Sequence, residues 1–553
     1  MDQNTLLQPS RSKWQFFNAE GVPISNFTPS VVSVVKRISS TGELEAVRVR
    51  LSFMDGDAGE TIISLSDLDN VDWFDKDHRC LINSEYRRAK RFIADNIRAE
   101  VSKAPIEIRH VLDRTGIHRI GDAVVFAAGD RVIARSSAPE VDPAFELGQL
   151  PFHLDIDENI TPSEAVAGMV QLISLSREIG PVLVAHVISG IMRSAFKKAG
   201  LTPCAVLVIV GKSGMLKSHY VPHLAQLYNR ADGIGPVTRI NSTPRFIEEI
   251  LCEYSECTAV IDDLHTAESR GIKRRNEDTV EEIIRRIADD VGRGRMDGNT
   301  QVQQHFRSNA VFIGEYTVGR ESTIPRALVA NITKPPNGAI LDKYQRGQPL
   351  LVSTFYYYFI QWYVDHFDKI RDAIDARFTE LRRANAASTM HGRFLDTQFY
   401  LEISYKFFCE FCRESGYCSE EDARDTYSSF RAHLHKLVQE QETRYKASEE
   451  VKTIDYLALI RDLYKHDRFR VAKEVKDFDT DEHDGLIWED YLCLRGKCLE
   501  KKIKRIHSNL NFIDCINNLL TRDALKLVRS KNTIQVYGTG GKRFYAIKLS
   551  KLR

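Results

Sequence analysis

Residues 206–218 read VLVIVGKSGMLKS: five apolar residues in a row, a turn built on two glycines, then Lys-Ser. An unbroken apolar run of this length suits a strand covered on both faces, which belongs in a parallel sheet flanked by helices. The stretch KSHYVPHLAQLYNR that follows predicts a helix, so the glycine turn joins a strand to a helix N-terminus. Backbone N–H groups converge there, and an anion is favoured. Gly211, Lys212, Ser213, Gly214, Met215, Leu216, Lys217 and Ser218 are the candidate nucleotide cradle. The two glycines permit the curl, Lys217 reaches the β- and γ-phosphates, and Ser218 offers its hydroxyl to Mg²⁺. Leu216 stands where the usual pattern has its last glycine, so placement between strand and helix carries this reading more than the spelling does.

A second apolar run, CTAVIDDLH, ends in two carboxylates. Asp262 is placed to hold Mg²⁺ through water, and Asp263 to orient or deprotonate the attacking water. A third run, SNAVFIGEY, is expected beside the first two, with Glu315 at its end near the γ-phosphate. The segment ESTIPRALVANI then presents Arg326. In ring-forming ATPases such an Arg completes the neighbouring subunit's site by compensating charge on the γ-phosphate; the other reading is a surface ion pair. Arg393, in MHGRF at the start of a later helix, either contacts phosphate within its own subunit or is a solvated helix-end residue.

The 553-residue length suggests roughly three to five domains. The longest apolar run, Ile179 to Met192, is interrupted by His186 and Ser189 and closed by Arg193. It falls short of the ~20 residues that a membrane span needs. The N-terminus lacks the basic-then-apolar order of a secretory signal, so the expectation is a cytoplasmic protein. FFCEFCRESGYC holds Cys409, Cys412 and Cys418, but a fourth zinc ligand at suitable spacing is missing, and interleaved phenylalanines favour core thiols on a helix.

Residues 1–140 alternate short strand-like runs with turn signals around one charged helix at 84–103, an α+β domain. Residues 141–200 form a connector and two helices, SEAVAGMVQLISLSREI and VLVAHVISGIMRSAFKKAG. Residues 201–335 are the α/β core with its parallel sheet, and residues 336–450 are helical. Residues 451–553 end in two helices and the hairpin IQVYG-TGG-KRFYAIKL, the order of a winged-helix module. From Arg495 to Arg553 there are fifteen Lys and Arg against three Asp and Glu, on a chain whose net charge is +1. A basic excess confined to one end points to a polyanionic partner.

In this order, the motifs resemble AAA+ ATPases that replicate mobile elements. That group includes the cassette-chromosome self-loading helicases and is related to the minichromosome-maintenance helicases. The resemblance spans residues 105–553 and is carried by RTGIHRIGDAVVFAAGDRVI, GPVLVAHVISGIMRSAFKKAG, GKSGMLKS, VIDDLH, GRGRM, IGEYTVGRESTIPRALV and HGRF. It implies an AAA+ P-loop core with a helical lid and a C-terminal winged helix. It assigns Lys217 and Ser218 to the phosphate loop, Asp262 and Asp263 to the acidic pair, and Arg326 to the trans-acting Arg. Two positions depart from the pattern. The second acid of such ATPases is usually Glu, one methylene longer than Asp263. Leu216 replaces glycine, but the minichromosome-maintenance loop also lacks glycine there.

The insertion RGIKRRNEDTVEEIIRRIADDVGRGRMDGNTQ carries Arg270, Lys273, Arg274 and Arg275 before its helix and Arg293 and Arg295 after it. In the resembled helicases this region projects a hairpin into a central channel, where cations follow the phosphate backbone of one strand. Its acids nearly cancel that charge, so a solvated ion-pair helix is the competing reading. In the C-terminal module Lys501, Lys502, Lys504 and Arg505 open one helix. Arg522, Lys526, Arg529 and Lys531 cluster at the second, and Lys542 and Arg543 flank the hairpin. The resemblance implies an ATP- and Mg²⁺-dependent DNA helicase or translocase, a hexameric ring acting in mobile-element DNA replication on single-stranded or forked DNA, with replication-initiation proteins as possible partners. The alternatives are a DNA-binding ATP switch that does not unwind and, third, a metabolic P-loop kinase.

Overall fold

The computed structural model describes residues 14–552 except 40–41, 57, 69–78, 113, 138–144, 148–151, 204–205, 231–236, 265–269, 291–293, 298–299, 304–305, 318–322, 453–454, 507–509, 511 and 529–530. The chain divides into two compact bodies, one of Met1–Val318 with Arg326–Val438 and one of Gly319–Pro325 with Gln439–Arg553.

In the first body, Phe27–Ser39 and Gly42–Phe53 pair antiparallel in a five-stranded sheet. The sequence predicts a helix over 84–103, and the structure has one at Ala89–Val101. Its Ile93, Ala94 and Ile97 close on Phe27, Val47 and Val49 from that sheet. A separate antiparallel sheet follows, formed by Gly116–Ile120, Ala123–Ala128 and Arg131–Ala134.

Next come the helices Pro162–Ser174 and Gly180–Ile191. Thr161 and Glu164 form a reciprocal capping box on the first. The second is buried along almost its whole length. The predicted single helix over 182–200 is in fact two, because the chain breaks at Met192 and resumes as Arg193–Lys198. Arg193 itself is buried, its guanidinium donating to Pro203 O, Asn309 Oδ1 and Asp290 Oδ1 at 2.6, 3.1 and 3.0 Å.

The core sheet is parallel throughout, in the order Val237–Arg239, Thr258–Leu264, Asn309–Gly314, Val206–Val210, Ala327–Asn331. The three strands expected from their apolar runs are adjacent. Two more were missed: Val237–Arg239, only three residues long, and Ala327–Asn331, which pairs along the whole of Val206–Val210.

Helices at Gly338–Gly347, Leu351–Asp365, Phe367–Ala384, Gly392–Glu414 and Glu420–Lys452 complete the first body and lead into the second. Within the region expected to be helical, the chain breaks at His366, between Leu351–Asp365 and Phe367–Ala384. Cys409 and Cys412 lie buried on Gly392–Glu414 among aromatic rings, and burial pushes the Cys409 thiol up to about 12. Among the described residues no helix is long and apolar enough to cross a membrane.

The second body is a five-stranded sheet packed with helices Tyr456–Lys465, Gly496–Ile506 and Phe512–Thr521. The expected C-terminal hairpin is present, with Ile534–Gln535 antiparallel to Arg543–Lys548. A second hairpin, Gly485–Trp488 with Tyr491–Leu494, precedes the two helices and supplies the middle of the sheet.

Candidate nucleotide site

The cradle forms because the strand Val206–Val210 delivers its C-terminal end between two neighbours. Gly211 N–H donates to Gly314 O at 3.1 Å, which ties the loop to the adjacent strand. A Cβ at Gly211 would lie 2.4 Å from Ile332 Cγ2, so only glycine lets the loop start this close to the outer strand. Gly214 sits at φ +82°, the conformation that glycine adopts most easily. Leu216 is also left-handed, at φ 55°, and caps the helix Lys217–Ala225 by accepting from His219 N and Tyr220 N at 3.1 and 2.9 Å. A non-glycine residue in this region costs roughly 1–2 kcal/mol. Its side chain lies near the start of the later helix Gly338–Gly347, where a Cβ on Gly338 would be 3.5 Å from Leu216 Cδ1.

The acids stand on a bulge. In the register with Asn309–Gly314, Ile261 pairs with Phe312 and Leu264 with Gly314, so Asp262 and Asp263 together face one residue, Ile313. Two residues opposite one is a β-bulge, which bends the strand and re-aims its side chains. Asp263 takes φ 77°, and its N–H donates to Asp262 Oδ1 at 2.7 Å. The bulge requires Gly314, where a Cβ would meet Leu264 O at 2.8 Å and Leu264 Cβ at 2.9 Å. Gly314 was not singled out from the sequence, although FIGE at the end of an apolar run is the available signal.

These parts enclose one cleft of about 350 Å³, lined by Ser213 to His219, by Asp262 and Asp263, and by Ile313 to Glu315. Lys217 crosses its floor and donates to Gly211 O and Lys212 O at 2.7 and 2.8 Å. Burial holds its ammonium below the usual lysine range, while the Glu315 and Asp262 charges pull it back up. An ammonium, a hydroxyl at Ser218, loop amides and a carboxylate pair in one cleft are the donor set that a Mg²⁺-nucleoside triphosphate requires.

Arg326 and Arg393 are not among the residues lining this cleft. Both pair with Asp289, at 3.2 and 3.1 Å, at the end of the insertion helix Arg270–Asp289. The ion-pair reading of Arg326 and the interaction of Arg393 are therefore present within the chain. The next acid, Asp290, holds Arg193 and Lys197 at 3.0 and 2.7 Å. Within the helix, Arg285 pairs with Glu281 and Arg286 with Glu282, and Arg286 also reaches Glu248 on the helix Pro244–Glu253. Arg275 is exposed, and Lys273 and Arg274 precede it on the same helix. Beyond the helix, Gly294–Asp297 and Thr300–Gln303 form an antiparallel hairpin that includes Arg295. Arg293 lies outside the described residues.

In the second body Lys501, Lys542 and Arg543 are exposed. Lys502 instead turns inward, 3.5 Å from the buried Asp484. Lys526 sits over the rings of Trp488 and Tyr491, at 4.4 and 4.6 Å. Arg529 lies outside the described residues.

No family model matches the chain, and no curated protein matches it. Among solved structures it is similar to a helicase described as SCCmec type IV Cch, active helicase, at 14% identity and a TM-score of 0.54. That alignment covers 96% of this chain and 95% of the other. The likeness is one of fold: a multidomain α/β chain with a parallel sheet. Two JCV helicase structures, one of them with a bound acetamide compound, align at 13% and 14% identity. They cover 44% of this chain and 74% of their own, with TM-scores of 0.21 and 0.20, too low to bear on the fold.

Proposed function

We propose that this chain is an ATP-dependent DNA helicase or translocase, working as a hexameric ring in the replication of a mobile element. The observation that carries the proposal is the cleft, in which the Lys217 loop and the Asp262–Asp263 bulge face each other across the intervening parallel strand Asn309–Gly314. In this reading Lys217 leaves the loop carbonyls to neutralise the β- and γ-phosphates. Ser218 and Asp262 hold Mg²⁺, which when bound offsets phosphate charge. Asp263 orients the attacking water and Glu315 lies at the γ-phosphate end. Arg326 acts on the neighbouring subunit's nucleotide, and Arg393 contacts phosphate.

The helices of 336–450 serve as the lid, and the basic second body serves as a winged helix that loads or guides DNA. Lys273, Arg274, Arg275, Arg293 and Arg295 follow the strand in the channel. Lys501, Arg529, Lys542 and Arg543 contact phosphates in the winged helix, and Lys502 reaches them only where its pair with Asp484 opens. Replication-initiation proteins are the partners expected to load the ring, in the cytoplasm.

ATP turnover by the purified protein is expected to disappear in Lys217→Ala while DNA is still retained. Unchanged turnover in that variant overturns the site assignment.

One observation favours a second reading, a DNA-binding ATP switch that does not unwind. Asp263 is a methylene shorter than the usual Glu, and its own N–H ties down Asp262 Oδ1. Strand displacement on a forked duplex separates the two readings: displacement selects the helicase, and ATP binding without displacement selects the switch.

A further inference from the structure

Tyr537 is 101% exposed, a whole aromatic ring in water. It stands at the tip of the hairpin between Ile534–Gln535 and Arg543–Lys548. The tip around it is held firmly. Val536 before it is buried, and Thr539 after it is buried with its hydroxyl donating to Val536 O at 2.7 Å. Gln535 Nε2 donates to Gly541 O at 3.1 Å across the loop. Gly538, Gly540 and Gly541 take φ of +90°, +62° and +76°, a path that side-chain-bearing residues rarely follow. A Cβ at Gly538 would come within 3.1 Å of Val475 Cγ1, so the turn leans on the segment Val475–Asp477. The same bonds that pin Val536 and Thr539 inward turn Tyr537 outward.

Two cations follow the same turn. Lys542, just before the returning strand, and Arg543, its first residue, are exposed, and among the described residues neither forms a salt bridge. Several other cations of this body are already committed: Lys548 to Asp523 at 2.7 Å, Lys526 to Glu489 at 3.2 Å and Lys502 to Asp484 at 3.5 Å. A stiff tip bearing a free aromatic face and two free cations matches a partner that is both a polyanion and a source of flat rings. Nucleic acid with unpaired bases meets both conditions, because aromatic side chains stack on any base while Lys and Arg follow the phosphates. A paired duplex offers the phosphates but hides its base faces in the stack.

We propose that Tyr537 stacks on an unpaired base at the junction between single- and double-stranded DNA, with Lys542 and Arg543 holding the adjoining phosphates. The assignment rests on the DNA-binding reading above and adds to it a residue and a substrate form. The hairpin marks the boundary of the duplex, and the exposed ring takes up the first unpaired base beyond it.

The test uses the full-length protein, a fluorescent forked DNA and a blunt duplex of the same length. Tyr537→Ala is expected to weaken binding to the fork about tenfold and to leave duplex binding within about twofold. Tyr537→Phe keeps the ring and is expected to bind the fork like the wild type. The slope of fork affinity against salt is expected to stay the same in Tyr537→Ala and to fall by about one in Lys542→Ala. An exposed side chain contributes little to folding, so an unchanged melting temperature establishes that the variants are intact. Fork binding by Tyr537→Ala equal to wild type overturns the proposal, as does an equal loss on fork and duplex. A wild-type protein that binds neither DNA overturns the DNA-binding reading itself, a different result. Loss of binding to a protein partner with fork binding unchanged also overturns the stacking role.

Discussion

Arg326 and Arg393 converge on a single oxygen, Asp289 Oδ1, at 3.2 and 3.1 Å. Two guanidiniums closing on one carboxylate form a small cationic cradle that a phosphate group would also fit. The cradle is built from segments that are far apart in sequence, and neither Arg lines the candidate nucleotide cleft.

If Arg326 serves a neighbouring subunit, Arg326→Ala is expected to lower ATP turnover about 10³-fold or more while nucleotide binding persists. The informative experiment mixes subunits. Lys217→Ala and Arg326→Ala proteins, each inactive alone, are expected to regain turnover together, because some interfaces then pair an intact Lys217 with an intact Arg326. A mixture as inactive as its components assigns Arg326 to the Asp289 ion pair alone.

Gly314→Ala is expected to damage the acidic bulge. The added Cβ meets the Leu264 backbone at 2.8 Å, and backbone yields less readily than a side-chain tip. A destabilisation of about 1–3 kcal/mol is expected, read as a lower midpoint in chemical denaturation. ATP turnover should fall with it, and a variant as stable and active as the wild type would show that the bulge does not depend on this glycine.

Glu256 supplies a pH dependence of stability. It is buried beside the phosphate-loop domain's acidic strand, accepts from Ile117 N at 3.0 Å and bonds the Ser194 hydroxyl. Burial pushes its carboxyl up to about 8 from an ordinary 4.5. The folded chain then holds a proton that the unfolded chain has released throughout the interval between these values. Stability therefore falls as pH rises from about 4.5 to about 8 and levels off above it. Glu256→Gln, which keeps the shape and remains uncharged, is expected to flatten the slope of melting temperature against pH in that window. An unchanged slope excludes Glu256 as its source.

The basic residues of the second body are expected to divide into two classes. Lys542→Ala and Arg543→Ala should each reduce the salt slope of DNA binding by about 0.9 and leave stability unchanged, because both side chains are exposed. Lys502→Ala should instead lower the melting temperature, since it strips the partner from the buried Asp484. Equal salt-slope changes for all three would mean that the Lys502–Asp484 pair opens on DNA.

Much of the architecture is legible in the sequence because it depends on local pattern. VLVIV, CTAVI and NAVFI are unbroken apolar runs, and only burial on both faces satisfies such runs, so they are adjacent in the parallel sheet. The glycines of GKSG and GTGG mark backbone that must curl, and the structure curls at both. Short strands are less legible. Val237–Arg239 offers three residues, and Ala327–Asn331 follows a Pro-Arg turn that masks its period. The helix breaks at Met192 and His366 carry no glycine or proline, and tertiary packing sets them.

By itself, then, the sequence determined the order of the elements and the chemical types in the cleft, since strand burial, loop curvature and charge content are local properties. What only the tertiary structure decided is which groups meet. It placed Gly314 under the acidic bulge, brought Leu216 near the Gly338 helix and drew Arg326 and Arg393 onto Asp289. It also turned Lys502 inward while leaving Tyr537 in water. Each of these depends on distances between segments remote along the chain, and no local pattern encodes such distances.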